Sequence, residues 1–91
     1  MKTIYKYTLS PDGTPVEMPL SAEVLTAREQ GEDICVWARV DKDQEMVERR
    51  TFQVFGTGHE MPDDPKLHYV GTAMLQGGSL VMHVFESRFT H

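Results

Sequence analysis

Gly56-Thr57-Gly58-His59 is the segment of this 91-residue chain whose residue types point most directly to ligand chemistry. Two glycines let a backbone turn sharply and aim successive N–H groups at one anion. Thr57 adds a hydroxyl, and His59 adds a donor that can carry charge near neutral pH. The segment suits phosphate or carboxylate but is no Walker motif, for it lacks the lysine, the spacing and the following helix. The plainer alternative is a strand leaving through a glycine turn.

Trp37 and Arg39 form the second candidate. In an extended chain, residues two apart share a face, so Trp37 could stack on a base while Arg39 clamps a phosphate. Against this stands the ordinary use of a tryptophan as core. Arg49 and Arg50 are adjacent and point to opposite faces of their strand. Arg50 shares its face with Phe52 and Val54, a partly buried setting in which an arginine needs an anion or a carboxylate beside it. The expected ligand-binding set is therefore Trp37, Arg39, Arg50, Thr57, Gly58 and His59.

Other reactive residues give less. His68 and His83 are expected on one face of a hairpin, roughly 10 Å apart and too far to share a metal. His91 is terminal, and no metal site is expected. Asp63, Asp64 and Glu60 read as a solvated acidic loop. Cys35 lies in the run Ile34-Cys35-Val36-Trp37 and reads as a small packed residue; with one cysteine no intrachain disulfide can form. No nucleophile elbow occurs. No catalytic residues and no cofactor are expected, and the chain does not read as an enzyme.

The elements that must position these residues read as strands. Residues 3–9 and 34–40 alternate, the latter placing Ile34, Val36, Ala38 and Val40 opposite Cys35, Trp37 and Arg39. Residues 47–55 form a third strand. Residues 68–75 and 80–86 flank Gln76-Gly77-Gly78-Ser79 as a hairpin with glycines at both turn centres. That register sets Leu75 against Leu80, Thr72 against His83 and Val70 against Phe85. Pro11-Asp12-Gly13 marks a turn, and Val16-Glu17-Met18, hemmed by prolines, is at most an edge piece. Residues 21–30 could be helix, opening on a possible capping box at Ser21, or strand. The expected fold is one domain over residues 1–91: mainly β, a small antiparallel sheet or sandwich of six or seven short strands, with at most one short helix.

Composition narrows the partners. Nine Lys and Arg against fourteen Asp and Glu give a net charge of -5. A protein that tracks polymeric DNA or RNA normally carries a basic stripe, and anionic membrane surfaces are disfavoured by the same sign. No window reaches the about 18 apolar residues of a membrane span, and the opening residues lack a signal-peptide core. A cytosolic location is expected. So small a core also points to a homo-oligomer.

The ordered string Tyr5-Lys6-Tyr7, Glu17-Met18-Pro19, Val36-Trp37-Ala38-Arg39-Val40-Asp41 and Arg50-Thr51-Phe52 continues through the rest of the chain. It runs on as Gly56-Thr57-Gly58-His59, Tyr69-Val70-Gly71-Thr72 and His83-Val84-Phe85-Glu86. In this it resembles a family of small accessory proteins of tailed phages. The resemblance implies an anti-defence role, in which a small oligomer acts as a sponge for a cyclic oligonucleotide or ADP-ribose-derived immune signal. It implies tight binding without cleavage, in a host's cytosol. Two other readings remain: an inhibitor or accessory that meets a host protein through a β edge or the acidic loop, and a small nucleotide-cleaving enzyme using His59 and His83.

Overall fold

The computed structural model describes residues 1–10 and 15–88. The expected turn at Pro11-Asp12-Gly13 and the terminal His91 lie outside the described residues. Seven strands run in the order β1 (Lys2–Thr8), β2 (Val16–Pro19), β3 (Glu23–Gln30), β4 (Asp33–Asp41), β5 (Val47–Gly56), β6 (Leu67–Leu75) and β7 (Leu80–Ser87). They form two antiparallel sheets, one ordered β1-β4-β3 and the other β2-β5-β7-β6. The expected β sandwich is what the chain builds.

Alternation explains the layers. Val36, Ala38 and Val40 of β4 meet Phe52 of β5 and Val84 of β7 in one apolar cluster, leaving the opposite face of each sheet turned outward. Met18 is fully buried in that cluster, so the short, proline-flanked β2 contributes a core residue as well as an edge. The sheets come closest where β3 passes β6, at Ala27 and Gly71.

Residues 21–30 resolve as a turn followed by strand. Ser21 takes a positive φ of 65°, and the Ala22 amide donates to the Pro19 carbonyl at 3.1 Å. A bulge at Leu25 then breaks the alternation: Val24 faces Ala38 and Thr26 faces Trp37. The inward positions Val24 and Ala27 are three apart, a helical spacing carried by a strand.

The hairpin β6–β7 keeps Leu75 against Leu80 and Thr72 against His83. Gly77 and Gly78 have φ of 66° and 94°, and the Ser79 amide closes on the Gln76 carbonyl at 3.2 Å, the geometry of a type I′ turn. A second bulge, at Val70, corrects the rest of the expected register. Tyr69, not Val70, faces Phe85, and His68 faces Glu86. The extra residue flips the strand, so His68 and His83 stand on opposite faces.

The long connection over residues 57–66 also has a topological reason. It leads from β5 to β6, and β7 later fills the place between them. The loop must therefore span two strand spacings, roughly 10 Å.

Candidate functional site

The expected ligand residues separate into three places. Trp37 and Arg39 lie on the outer face of the three-stranded sheet. Thr57, Gly58 and His59 follow β5 at one end of the four-stranded sheet. Arg50 points inward from β5, beside Phe52.

Arg50 has found the carboxylate partner that its setting demands. Its Nε donates to Glu86 Oε2 at 2.5 Å, and Nη1 donates to the Ala22 carbonyl at 2.8 Å and to Glu48 Oε1 at 3.1 Å. Arg88 Nε reaches the other Glu86 oxygen at 3.2 Å. Glu86 is 1% exposed, so a buried carboxylate is held by the largely buried Arg50, with Glu48 and Arg88 towards the surface. Burial opposes the Arg50 charge, yet the Glu86 and Glu48 carboxylates outweigh it and hold the guanidinium above its ordinary pKa. The adjoining cleft of about 380 Å³ is lined by Glu48 and Glu86 as well as by Arg49, Arg50 and Arg88. It carries its own anions.

The glycine loop uses its donors for the fold. The Thr57 amide donates to the Val81 carbonyl at 3.2 Å, and the His59 amide closes on the Gly56 carbonyl at 3.0 Å. Two of the three successive amides are thus committed instead of converging on one anion. The His59 ring lies over Gly56, where an added Cβ would meet its Cε1 at 2.7 Å. Thr57 Oγ1 and His83 Nε2 are hydrogen-bonded at 2.7 Å, and His83 Nδ1 contacts Thr72 Oγ1 at 3.2 Å. Tyr69 and Thr72 hydroxyls continue the chain at 2.5 Å. Both His83 nitrogens are therefore occupied. Beside them Phe85 packs edge-on against Phe55 and Tyr69 at 5.8 and 5.6 Å. Sequence reasoning missed this aromatic group, because the Val70 bulge decides that Tyr69 meets Phe85.

The outer face of the three-stranded sheet has a different character. Register places Lys6 and Thr26 on either side of Trp37, with Ile4 and Glu23 on either side of Arg39. Leu9 donates to Ile34 and Lys42 to Met1, so odd-numbered residues of β1 make the hydrogen-bonded pairs with β4. Lys6 and Trp37 are consequently a non-hydrogen-bonded pair, the kind whose side chains lie closest. Trp37 is partly exposed.

Four cations, Lys2, Lys6, Arg28 and Arg39, share this face with the tryptophan. The three carboxylates on it, Glu23, Asp33 and Asp41, stand at strand ends. Arg39 is ion-paired with Glu23, and Arg28 lies 4.0 Å from Glu29. Lys6 donates to the amide oxygen of Gln30 and has no ion-pair partner among the described residues. Gln30 lies beyond Cys35 from Lys6, and this contact spans the strand above the buried thiol. Sequence reasoning did not place Lys6 beside Trp37, because only the β1–β4 register brings the two together.

Among the described residues, no three His, Cys, Asp or Glu side chains converge on a metal-sized site, and no helix is long and apolar enough to cross a membrane. The chain belongs to the family described as Domain of unknown function (DUF7352), which it matches over residues 1–91. No curated protein and no solved structure matches it.

Proposed function

We propose that the protein binds a small anionic nucleotide without cleaving it, on the outer face of the three-stranded sheet. The observation that carries this reading is the pairing of the single tryptophan, Trp37, with Lys6, a lysine without an ion-pair partner among the described residues. A base stacks on the indole, and the Lys6 ammonium exchanges its Gln30 amide contact for a phosphate. A charge-assisted bond to phosphate is the stronger of the two. Arg39 supplies a second phosphate contact by turning from Glu23, an exposed pair that holds it weakly.

Sequestration of a cyclic oligonucleotide or ADP-ribose-derived immune signal by a phage accessory protein, as the resemblance implies, needs this kind of binding and no reaction. The test is to incubate the protein with a panel of such nucleotides, separate the complex, and release the ligand by heat for chromatography. Intact ligand released from wild type and absent from Trp37→Ala supports the reading. Converted ligand would make the protein an enzyme. The rival expectation, a protein partner on an open β edge, has β1 in its favour.

A further inference from the structure

The β1 strand is the one long, regular edge among the described strands. The β2 edge is four residues long and ends on Pro19. The β3 edge is bulged at Leu25 and passes closely over β6 at Ala27. The β6 edge is itself bulged at Val70. β1, by contrast, runs seven residues without bulge or proline and is paired on one side only, to β4. Its odd residues bond to β4, so Lys2, Ile4, Lys6 and Thr8 turn their backbone N–H and C=O groups away from the sheet. Such an open ladder is a template for another strand. Ile4 and Tyr5, 56% and 43% exposed, lie at its centre.

We infer that β1 pairs antiparallel with β1 of a second copy about a two-fold axis at Tyr5, joining two three-stranded sheets into one of six strands. Charge spacing selects this register. Only axes at residues 4, 5 or 6 pair outward-facing groups along most of the strand. An axis at Ile4 sets Lys2 against Lys6 of the second copy, and an axis at Lys6 sets Lys6 against itself. The axis at Tyr5 opposes Lys2 to Thr8 and Ile4 to Lys6, with no lysine facing a lysine. Like charges directly opposite destabilise a sheet, whereas the aliphatic stem of a lysine packs well over isoleucine. Tyr5 meets its own copy as a close, non-hydrogen-bonded aromatic pair.

The pairing also completes the basic face. One row across the joint sheet reads Trp37, Lys6, then Ile4 and Arg39 of the second copy, and the symmetric row lies beside it. Both tryptophans and all four lysines of β1 then line a single surface, suited to a ligand with two bases and two phosphates such as a cyclic dinucleotide. This last step rests on the nucleotide reading; the strand pairing does not.

The test is sedimentation equilibrium of the ligand-free protein. Wild type is expected at twice the chain mass and Ile4→Pro at the chain mass, since residue 4 contributes no N–H to β4 and proline is tolerated at such edge positions. A second pair of variants reads the register and does not depend on proline. Ile4→Glu, facing Lys6, tightens the dimer several-fold, and Ile4→Lys weakens it at least tenfold. A wild-type monomer at all concentrations overturns the pairing and leaves the nucleotide reading standing. Equal weakening by Ile4→Glu and Ile4→Lys, as an axis at Ile4 would give, overturns the register. A dimer that binds no nucleotide keeps the pairing and removes the ligand.

Discussion

Gly71 and Ala27 bring the two sheets together so closely that a Cβ on Gly71 would lie 2.2 Å from the Ala27 carbonyl oxygen. No flexible side chain can yield there, for the obstacle is backbone. Gly71→Ala is therefore expected to destabilise by about 3 kcal/mol, the upper end for overpacking. Urea unfolding measures it, and a loss below about 1 kcal/mol would mean that the sheets can part without penalty.

The Arg50–Glu86 pair predicts a second large effect. Arg50→Ala leaves Glu86 buried with only Arg88 beside it. Breaking such a pair costs about 3–5 kcal/mol, while replacing both partners with apolar residues recovers much of it. Arg50→Ala should lose about 3 kcal/mol of stability, and Arg50→Met with Glu86→Leu should regain more than half. In the folded fraction of either variant, nucleotide affinity should stay at the wild-type value.

Lys6→Ala should weaken nucleotide binding by about 1.5–3 kcal/mol, the scale of a hydrogen bond to a charged group. Unfolding of the single chain should change little, because Lys6 is exposed there and its partner, the Gln30 amide, is returned to water. Calorimetric titration against the best ligand of the panel checks the first point. An unchanged affinity would take Lys6 out of the site.

Tyr7 predicts an alkaline limit to stability. Burial, then the neighbouring Tyr5 phenol, raises its pKa above the ordinary 10.0. The folded state then holds the proton more tightly than the unfolded state. Stability from this source is complete below pH 10 and declines as pH rises through the folded-state value. Tyr7→Phe removes the ionisation, so its urea midpoint should fall less than that of wild type from neutral pH to above pH 10. Parallel curves would contradict the assignment.

How much of this was legible can be judged from particular strands. β4 and β5 pair with β1 and β7 without a bulge, so which of their residues share a face could be read directly, including the shared face of Trp37 and Arg39 and the need of Arg50 for a carboxylate. The Gly77-Gly78 turn announced itself through its demand for positive φ. The two bulges did not. At Leu25 the extra residue spaces inward positions three apart, which reads as helix; at Val70 it exchanges Val70 for Tyr69 against Phe85 and parts His68 from His83. Met18 was hidden by the prolines around it. The meeting of Lys6 with Trp37 depends on which strands neighbour each other, a long-range pairing that no local pattern encodes.

The most direct test of the central claim uses the chain's single tryptophan as its own probe. Cyclic di- and trinucleotides and ADP-ribose isomers are titrated while Trp37 fluorescence is followed, with thermal stability measured on the same samples. Saturable quenching by at least one of them is expected, with stabilisation of about 2.7 kcal/mol at a hundredfold excess over Kd. Lys6→Ala should shift the titration to higher concentration. Stabilisation without any change in Trp37 fluorescence would place the ligand elsewhere, and no response across the panel would contradict nucleotide binding itself.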